Sequence, residues 1–188
     1  METPAGIVLT GFVAHSPGEH PVEKKADERA FVLQMLREEL NDNSLSIVHT
    51  ATGQPFIPGH SELFISVSHS NGWCALVLSR KAVGIDIQTF TSRLDRGMDY
   101  FVNKTEKAAF GDPPVLQQLY LTWCAKEAIY KQQEGRINDL KNDVTVFNLP
   151  SLSETTSPVS GIFSAAVNGT VCELLFWLDE EKALVVTA

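Results

Sequence analysis

The sequence predicts an α+β protein in which helices pack on antiparallel sheets, and three observations carry that reading. Residues 23–40 and 115–133 repeat apolar side chains at helical spacing. Around them lie short runs rich in β-branched and aromatic residues, the composition of strands. Asn168 and Gly169 stand between two of those runs, a strong hairpin signal. A chain of 188 residues can bury a proper core, as one domain or as two small halves packed together.

In chain order, Gly6 to Ala14 is the first predicted strand, and Pro17-Gly18 turns the chain after it. A helix from about Glu23 to Leu40 carries Ala30, Phe31, Leu33, Leu36 and Leu40 on its apolar side. Lys24, Lys25 and Arg29 sit near its start, where the helix dipole favours anions over cations. Either they are solvated, or together with the free N–H groups they receive a phosphate. Thr52 to Gly59 is a loop punctuated by Gly and Pro. Leu63 to His69 is a strand with Ile65, Val67 and His69 on one face and Phe64, Ser66 and Ser68 on the other. It delivers Ser68, His69 and Ser70 to a turn at Asn71-Gly72, which suits either a polar site or a hydrogen-bonded structural histidine. A Ser-His-Asp hydrolase fits poorly: there is no Gly-x-Ser-x-Gly elbow, and adjacent Ser and His in a strand point to opposite faces.

Trp73 to Leu78 is a continuous apolar run, consistent with a strand covered on both sides. Ser79 to Lys81 is expected to turn it back into a strand from Ala82 to Gln88, where Val83, Ile85 and Ile87 alternate with Gly84, Asp86 and Gln88. A solvent-facing hairpin would explain Asp86; Gly84, which permits close backbone approach, tips the reading toward a site. Arg93 to Phe101 reads as helical, and Thr105 is expected to cap a short helix containing Glu106. The second long helix runs from about Val115 to Gln133, closed by Gly135. Leu116, Tyr120, Trp123, Glu127 and Tyr130 share one stripe of it, the face expected to pack on a core. A carboxylate there requires pairing, hydrogen bonds or a metal. Lys131, one turn on, leaves an ordinary surface salt bridge as the alternative. Strands at residues 143–148, 161–167, 171–178 and 183–187 complete the chain, and a seam near residue 80 divides it into halves 1–80 and 81–188.

Composition narrows the function. Hydrophobic residues make up 44% and charged residues 20%, ordinary for a globular protein. No apolar run is long enough to cross a bilayer, and the N-terminus lacks the pattern of a secretory signal, so the expected location is the cytoplasm. Cys74, Cys124 and Cys172 are odd in number and not spaced as metal pairs; they are expected as buried thiols. A net charge of −8 argues against non-specific nucleic-acid binding.

Taken together, four segments in this order resemble the 4′-phosphopantetheinyl transferases, of the larger two-half type that activates peptide and polyketide synthetases. Gly53, Gln54 and Pro55 resemble the family's Gly-Lys-Pro loop, and Phe64 to Ser70 its Phe-Asn-x-Ser-His-Ser segment. Val83 to Ile87 is similar to its Gly-x-Asp strand, and Trp123 to Lys131 to its Trp-x-x-Lys-Glu-x-x-x-Lys helix. Phe101 to Glu106 fits the stretch between the last two. The likeness spans roughly residues 20 to 140.

The resemblance implies a pseudo-symmetric monomer that binds coenzyme A and Mg²⁺ in the cleft between its halves. It would move the phosphopantetheine arm of coenzyme A to a serine of an apo carrier protein and leave 3′,5′-ADP. Such a reaction needs a hard cation on the phosphate oxygens, and Asp86 and Glu127 are the carboxylates that match. Lys131 and His69 would stabilise the charge that gathers as the bond breaks. Glu127, or alternatively Glu106, would accept the serine proton. By the same carry-over, Ser68 and His69 contact coenzyme A phosphates, Lys24 or Lys25 with Arg29 take the 3′-phosphate, and Gly53, Gln54 and Pro55 line the adenine. Lys104, Lys107 and the ridge around Phe101 are the expected docking patch for an acidic carrier.

The sequence departs from the family in two places. Gln88 stands where the strand often carries a Glu, so a two-carboxylate metal site with water in the gap is expected. Gln54 replaces the loop's usual lysine. Two rival readings follow: a degenerate coenzyme A- or carrier-binding module, supported by Gln88, and an unrelated Mg²⁺-dependent phosphohydrolase.

Overall fold

The structure, a computed structural model, describes residues 1–90, 94–111, 114–152 and 158–188. Its elements in order are β1 (Glu2–Thr3), β2 (Gly6–Phe12), α1 (Pro21–Leu40), β3 (Val48–His49), β4 (Pro55–Phe56), β5 (Phe64–Ser70), β6 (Trp73–Ser79) and β7 (Ile85–Thr89). Then follow α2 (Leu94–Phe101), α3 (Lys104–Ala109), α4 (Leu116–Gln132), α5 (Leu140–Asp143), β8 (Val144–Phe147), β9 (Val159–Val167), β10 (Thr170–Leu178) and β11 (Lys182–Thr187). The fold is α+β, as the sequence predicts. Arg93, where the sequence places the start of a helix, lies outside the described residues, as do residues 153–157. Among the described residues no helix is long and apolar enough to cross a membrane.

Two antiparallel sheets stack face to face. One has the order β1-β2-β6-β5, the other β7-β11-β10-β9-β8. On the outer side of the first, α1 buries Val32, Met35 and Leu36 against Ile65, Cys74 and Leu76. The inner side of that sheet, through Val8, Ala75 and Val77, meets Ile85, Ile87, Leu184 and Val186 of the second. The outer side of the second, including Phe163, Leu174, Phe176 and Val185, is covered by Tyr120, Leu121, Cys124 and Ile129 of α4. The layers therefore run helix, sheet, sheet, helix, with each sheet apolar on both faces.

The expected β6–β7 hairpin does not form. β7 pairs with β11, so residues 80–84 carry the chain from one sheet to the other. The edges β5 and β7 are instead joined by side chains. The hydroxyls of Ser66, Ser68 and Ser70 accept the N–H groups of Ile85, Ile87 and Thr89 at 3.1, 3.2 and 3.1 Å. Serines two residues apart share one strand face, so they form a ladder that satisfies backbone donors an edge strand would otherwise leave open.

Local chemistry sets the turns and caps. Asn168 and Gly169 both have positive φ, 48° and 84°, as a two-residue hairpin of this kind requires. His20 accepts from Val22 N, Glu23 closes the capping box, and Pro21 occupies the first turn of α1. Asn103, not Thr105, caps α3: its Oδ1 accepts from Glu106 N, and Glu106 Oε2 accepts from Asn103 N. Cys74 and Cys124 are buried and Cys172 half-buried, all as free thiols. The Cys74 thiol is pushed up to about 11, first by burial and then by Glu28.

The stripe expected to bury α4 is not its most buried face. Leu116 and Tyr130 are exposed, and Trp123 and Glu127 are half-buried. The fully buried positions are broader, running through Leu121, Cys124, Ala125, Lys126 and Ala128, because α4 lies on a sheet and is also backed by α2, with Leu119 packed on Phe101 and Val102.

Candidate active site

The site is built where α4 crosses β7. Gly84 sets the distance between them: a Cβ there would stand 1.8 Å from the Ala128 carbonyl oxygen and 2.9 Å from Gln132 N. Only a residue without a side chain lets the helix backbone press on the strand this closely. Two residues on, Asp86 points to the same side as Gly84 and is 6% exposed.

Asp86 Oδ1 accepts from Lys131 Nζ at 2.8 Å and from Ser68 Oγ at 2.7 Å. Lys131 also donates to the Ile85 carbonyl at 2.9 Å, so both ends of that contact fix its ammonium. Asp86 Oδ2 is buried and has no hydrogen-bond partner. The buried Cys124 thiol lies beside Asp86, and a buried carboxylate oxygen with no stronger donor than a thiol is costly and invites a cation. Glu127 faces the same point: burial raises its carboxyl above the usual range, the Asp86 charge raises it further, and Lys131 partly offsets both. Glu127, raised by its neighbour's charge, and Asp86, with its orphaned oxygen, form a donor set that a divalent cation would relieve. These residues fit Mg²⁺.

The structure brings Asp86, Glu127 and Lys131 together, and part of the expected coenzyme A loop with them. The Thr50–Gln54 turn links β3 to β4, with Gly53 at φ +86°. Gln54 Nε2 reaches Glu134 Oε1 at 3.5 Å, beyond the end of α4. Gln54, Pro55, Ile65, Val67, Tyr130 and Lys131 line a cavity of about 140 Å³. A second cavity, about 230 Å³, is lined by Arg29, Ile47, His49, Val67 and His69. Val67 borders both, so the two lie side by side across β5.

Several expected roles need correction. His69 projects from the face of β5 opposite Ser68, its Nδ1 3.2 Å from Glu28 Oε2, and it does not share a cavity with Lys131. That position does not suit charge stabilisation beside Lys131. Ser68 is buried with its hydroxyl engaged by Asp86 and Ile87 N, so it supports the carboxylate and does not face a phosphate. Glu106 is 1% exposed, and its oxygens are taken by Lys126 Nζ at 3.0 Å, Val146 N at 2.8 Å and Asn103 N at 2.8 Å. A carboxylate committed in this way is not placed to take a proton from a substrate. Lys126 completes that pair and donates to the Val144 and Lys141 carbonyls at 2.7 and 3.1 Å. Burial pulls its ammonium below the ordinary lysine range, against the pull of Glu106. Phe101 is buried and cannot form a docking ridge; its neighbour Tyr100 is 87% exposed, and Lys107 pairs with Asp99. Lys24 borders a different cavity from Arg29, and Lys25 is exposed.

Residues 82–172 match the family model of the 4′-phosphopantetheinyl transferase superfamily. The matched stretch holds Asp86, Glu127 and Lys131, the three side chains that meet at the α4–β7 contact. It supports a transferase of this kind, with coenzyme A and a carrier protein as the partners the family implies. A comparison with curated proteins finds no match.

Sequence reasoning missed Glu28. It is 5% exposed in α1 and holds His15 on one oxygen and His69 on the other, each at 3.2 Å. Its signal was present: Glu28 lies four residues before Val32 and eight before Leu36, on the stripe that α1 buries.

Proposed function

We propose that the protein transfers the 4′-phosphopantetheine arm of coenzyme A to a serine hydroxyl of an apo acyl, peptidyl or aryl carrier protein, as a monomer of the two-half type. The observation that carries this reading is the buried carboxylate Asp86, one oxygen on Lys131 and the other without a partner, set against Glu127 beside a cleft. The division of the chain into two helix-covered sheets, residues 2–79 and 85–187, supports pseudo-duplicate halves about 1–80 and 81–188.

In this mechanism Asp86 and Glu127 would hold Mg²⁺, which when bound would draw negative charge from the phosphate oxygens. Arg29 and His69 take the 3′-phosphate in the larger of the two β5 cavities. Gly53, Gln54 and Pro55 hold the adenine. Glu127 accepts the serine proton, directly or through water, while the serine oxygen bonds to the phosphorus of the pantetheine-bearing phosphate. The bond to the bridging oxygen breaks and 3′,5′-ADP leaves with that electron pair. Lys131, fixed by Asp86 and the Ile85 carbonyl, faces the charge that develops there.

The test is to incubate the protein with coenzyme A, Mg²⁺ and an apo carrier protein and to weigh the carrier by mass spectrometry. A gain of one phosphopantetheine is expected. Coenzyme A binding with no gain in mass would point instead to a binding module, and breakdown of coenzyme A without carrier to a phosphohydrolase.

A further inference from the structure

A second cluster of ligating side chains lies away from Asp86 and Glu127, where the chain enters α1. Among the described residues, His15, Glu19 and Asp27 form the one group of three such side chains whose ligand atoms all lie within 4.8 Å of one another. We propose that they bind a divalent transition ion of the Zn²⁺ type. This assignment is independent of the transferase reading.

Two orphaned atoms carry it. His15 Nδ1 and Glu19 Oε1 are both buried without a hydrogen-bond partner, and they face each other at 3.7 Å. That gap is too long for a hydrogen bond. It is close to the roughly 3.4 Å between two ligands that bond one Zn²⁺ at about 2.1 Å in tetrahedral geometry. The remaining atom of each group is already held. Glu19 Oε2 accepts from Ser16 N at 2.8 Å, which aims Oε1 inward. His15 Nε2 lies 3.2 Å from Glu28 Oε1. With Nε2 donating to that carboxylate, Nδ1 is left to present its lone pair to a metal. Glu28 is itself anchored by Gly72 N at 3.3 Å.

The surroundings suit a cation. His15 borders a cavity of about 640 Å³ whose wall includes Glu180 and Glu181 against a single lysine, Lys24. Asp27, the third member, is exposed. One imidazole and two carboxylates favour a borderline ion over Mg²⁺, which prefers all-oxygen octahedral sites.

The experiment is a Zn²⁺ titration of the full chain with bound metal counted after gel filtration, repeated with Co²⁺ read by visible absorption. One equivalent should bind in the Asp86→Asn/Glu127→Gln double variant, which lacks the other cation site and in which the further substitutions are made. It should be lost in His15→Gln and weakened in Asp27→Asn, an exposed substitution that leaves the fold intact. Glu28→Gln should weaken binding by about ten- to a hundredfold, through its hold on the ring. No binding by the double variant would overturn the assignment, as would binding unchanged there by both His15→Gln and Asp27→Asn. Either result would leave His15 as an imidazole held between two carboxylates.

Discussion

Gly84→Ala displaces the helix that carries half of the site, without touching any reactive group. The added methyl would stand 1.8 Å from the Ala128 carbonyl oxygen, where ordinary contact begins near 3.4 Å. The obstacle is helix backbone, so it cannot rotate aside, and α4 must retreat by about 1.6 Å. Lys131 and Glu127 ride on α4 while Asp86 stays with β7, so the 2.8 Å Lys131–Asp86 contact would open to a separation beyond ion-pair reach. Overpacking of this kind costs about 1–3 kcal/mol of stability. Displacing reacting groups by about 1 Å costs about a hundredfold in rate. The assay pairs urea unfolding with initial rates of carrier modification by mass spectrometry. Gly97→Ala is the control: a Cβ there meets nothing within 4 Å, and the change should stabilise α2 by about 0.5–1 kcal/mol. Wild-type stability and rate in Gly84→Ala would refute the claim that close helix–strand approach positions the site.

Asp86→Ala and Glu127→Ala should each abolish transfer while Gln88→Ala has a much smaller effect; equal losses at Gln88 and Asp86 would show that the site uses a third ligand. Glu127→Gln should stabilise the metal-free protein as it removes activity, because burial and Asp86 raise the Glu127 carboxyl in the folded state. A raised carboxyl favours folding most below its unfolded value near 4.5 and loses that contribution as pH rises through its folded value, so the variant's advantage should be absent at pH 4 and grow toward pH 8 in denaturant titrations. A constant difference across that range would contradict the coupling. Lys126→Met should lose about 3–5 kcal/mol, since Glu106 would remain buried without its cation, and adding Glu106→Gln should recover part of that loss in the same unfolding assay.

What the sequence revealed and what it hid follow from the range of the interactions involved. Period-2 alternation placed Asp86 opposite Ile85 and Ile87, and Gly84 signalled a close approach, both local properties of one strand. Strand partners are not local, so the turn after β6 read as a hairpin although β7 crosses to the other sheet. The serine ladder of Ser66, Ser68 and Ser70 was visible only as a polar strand face; its function depends on an edge strand arriving from the other sheet. For α4, a single-stripe wheel misjudged burial because the helix is covered from two sides. The buried charge there is Lys126, whose partner Glu106 comes from α3 and whose remaining acceptors come from the α5–β8 junction. Glu106 looked reactive from its place in a motif, and the geometry shows that it caps α3 and neutralises Lys126.

The proposed transfer requires Asp86 and Glu127 to grip one divalent ion. The direct measurement is Mn²⁺ binding followed by electron paramagnetic resonance in the presence of coenzyme A, in a His15→Gln background so that a single site is counted. One Mn²⁺ should bind, and Asp86→Ala, Glu127→Ala and the double variant should all lose it to the same extent, as expected when two residues serve one ligand. Independent, additive losses, or Mn²⁺ retained in either single variant, would contradict it.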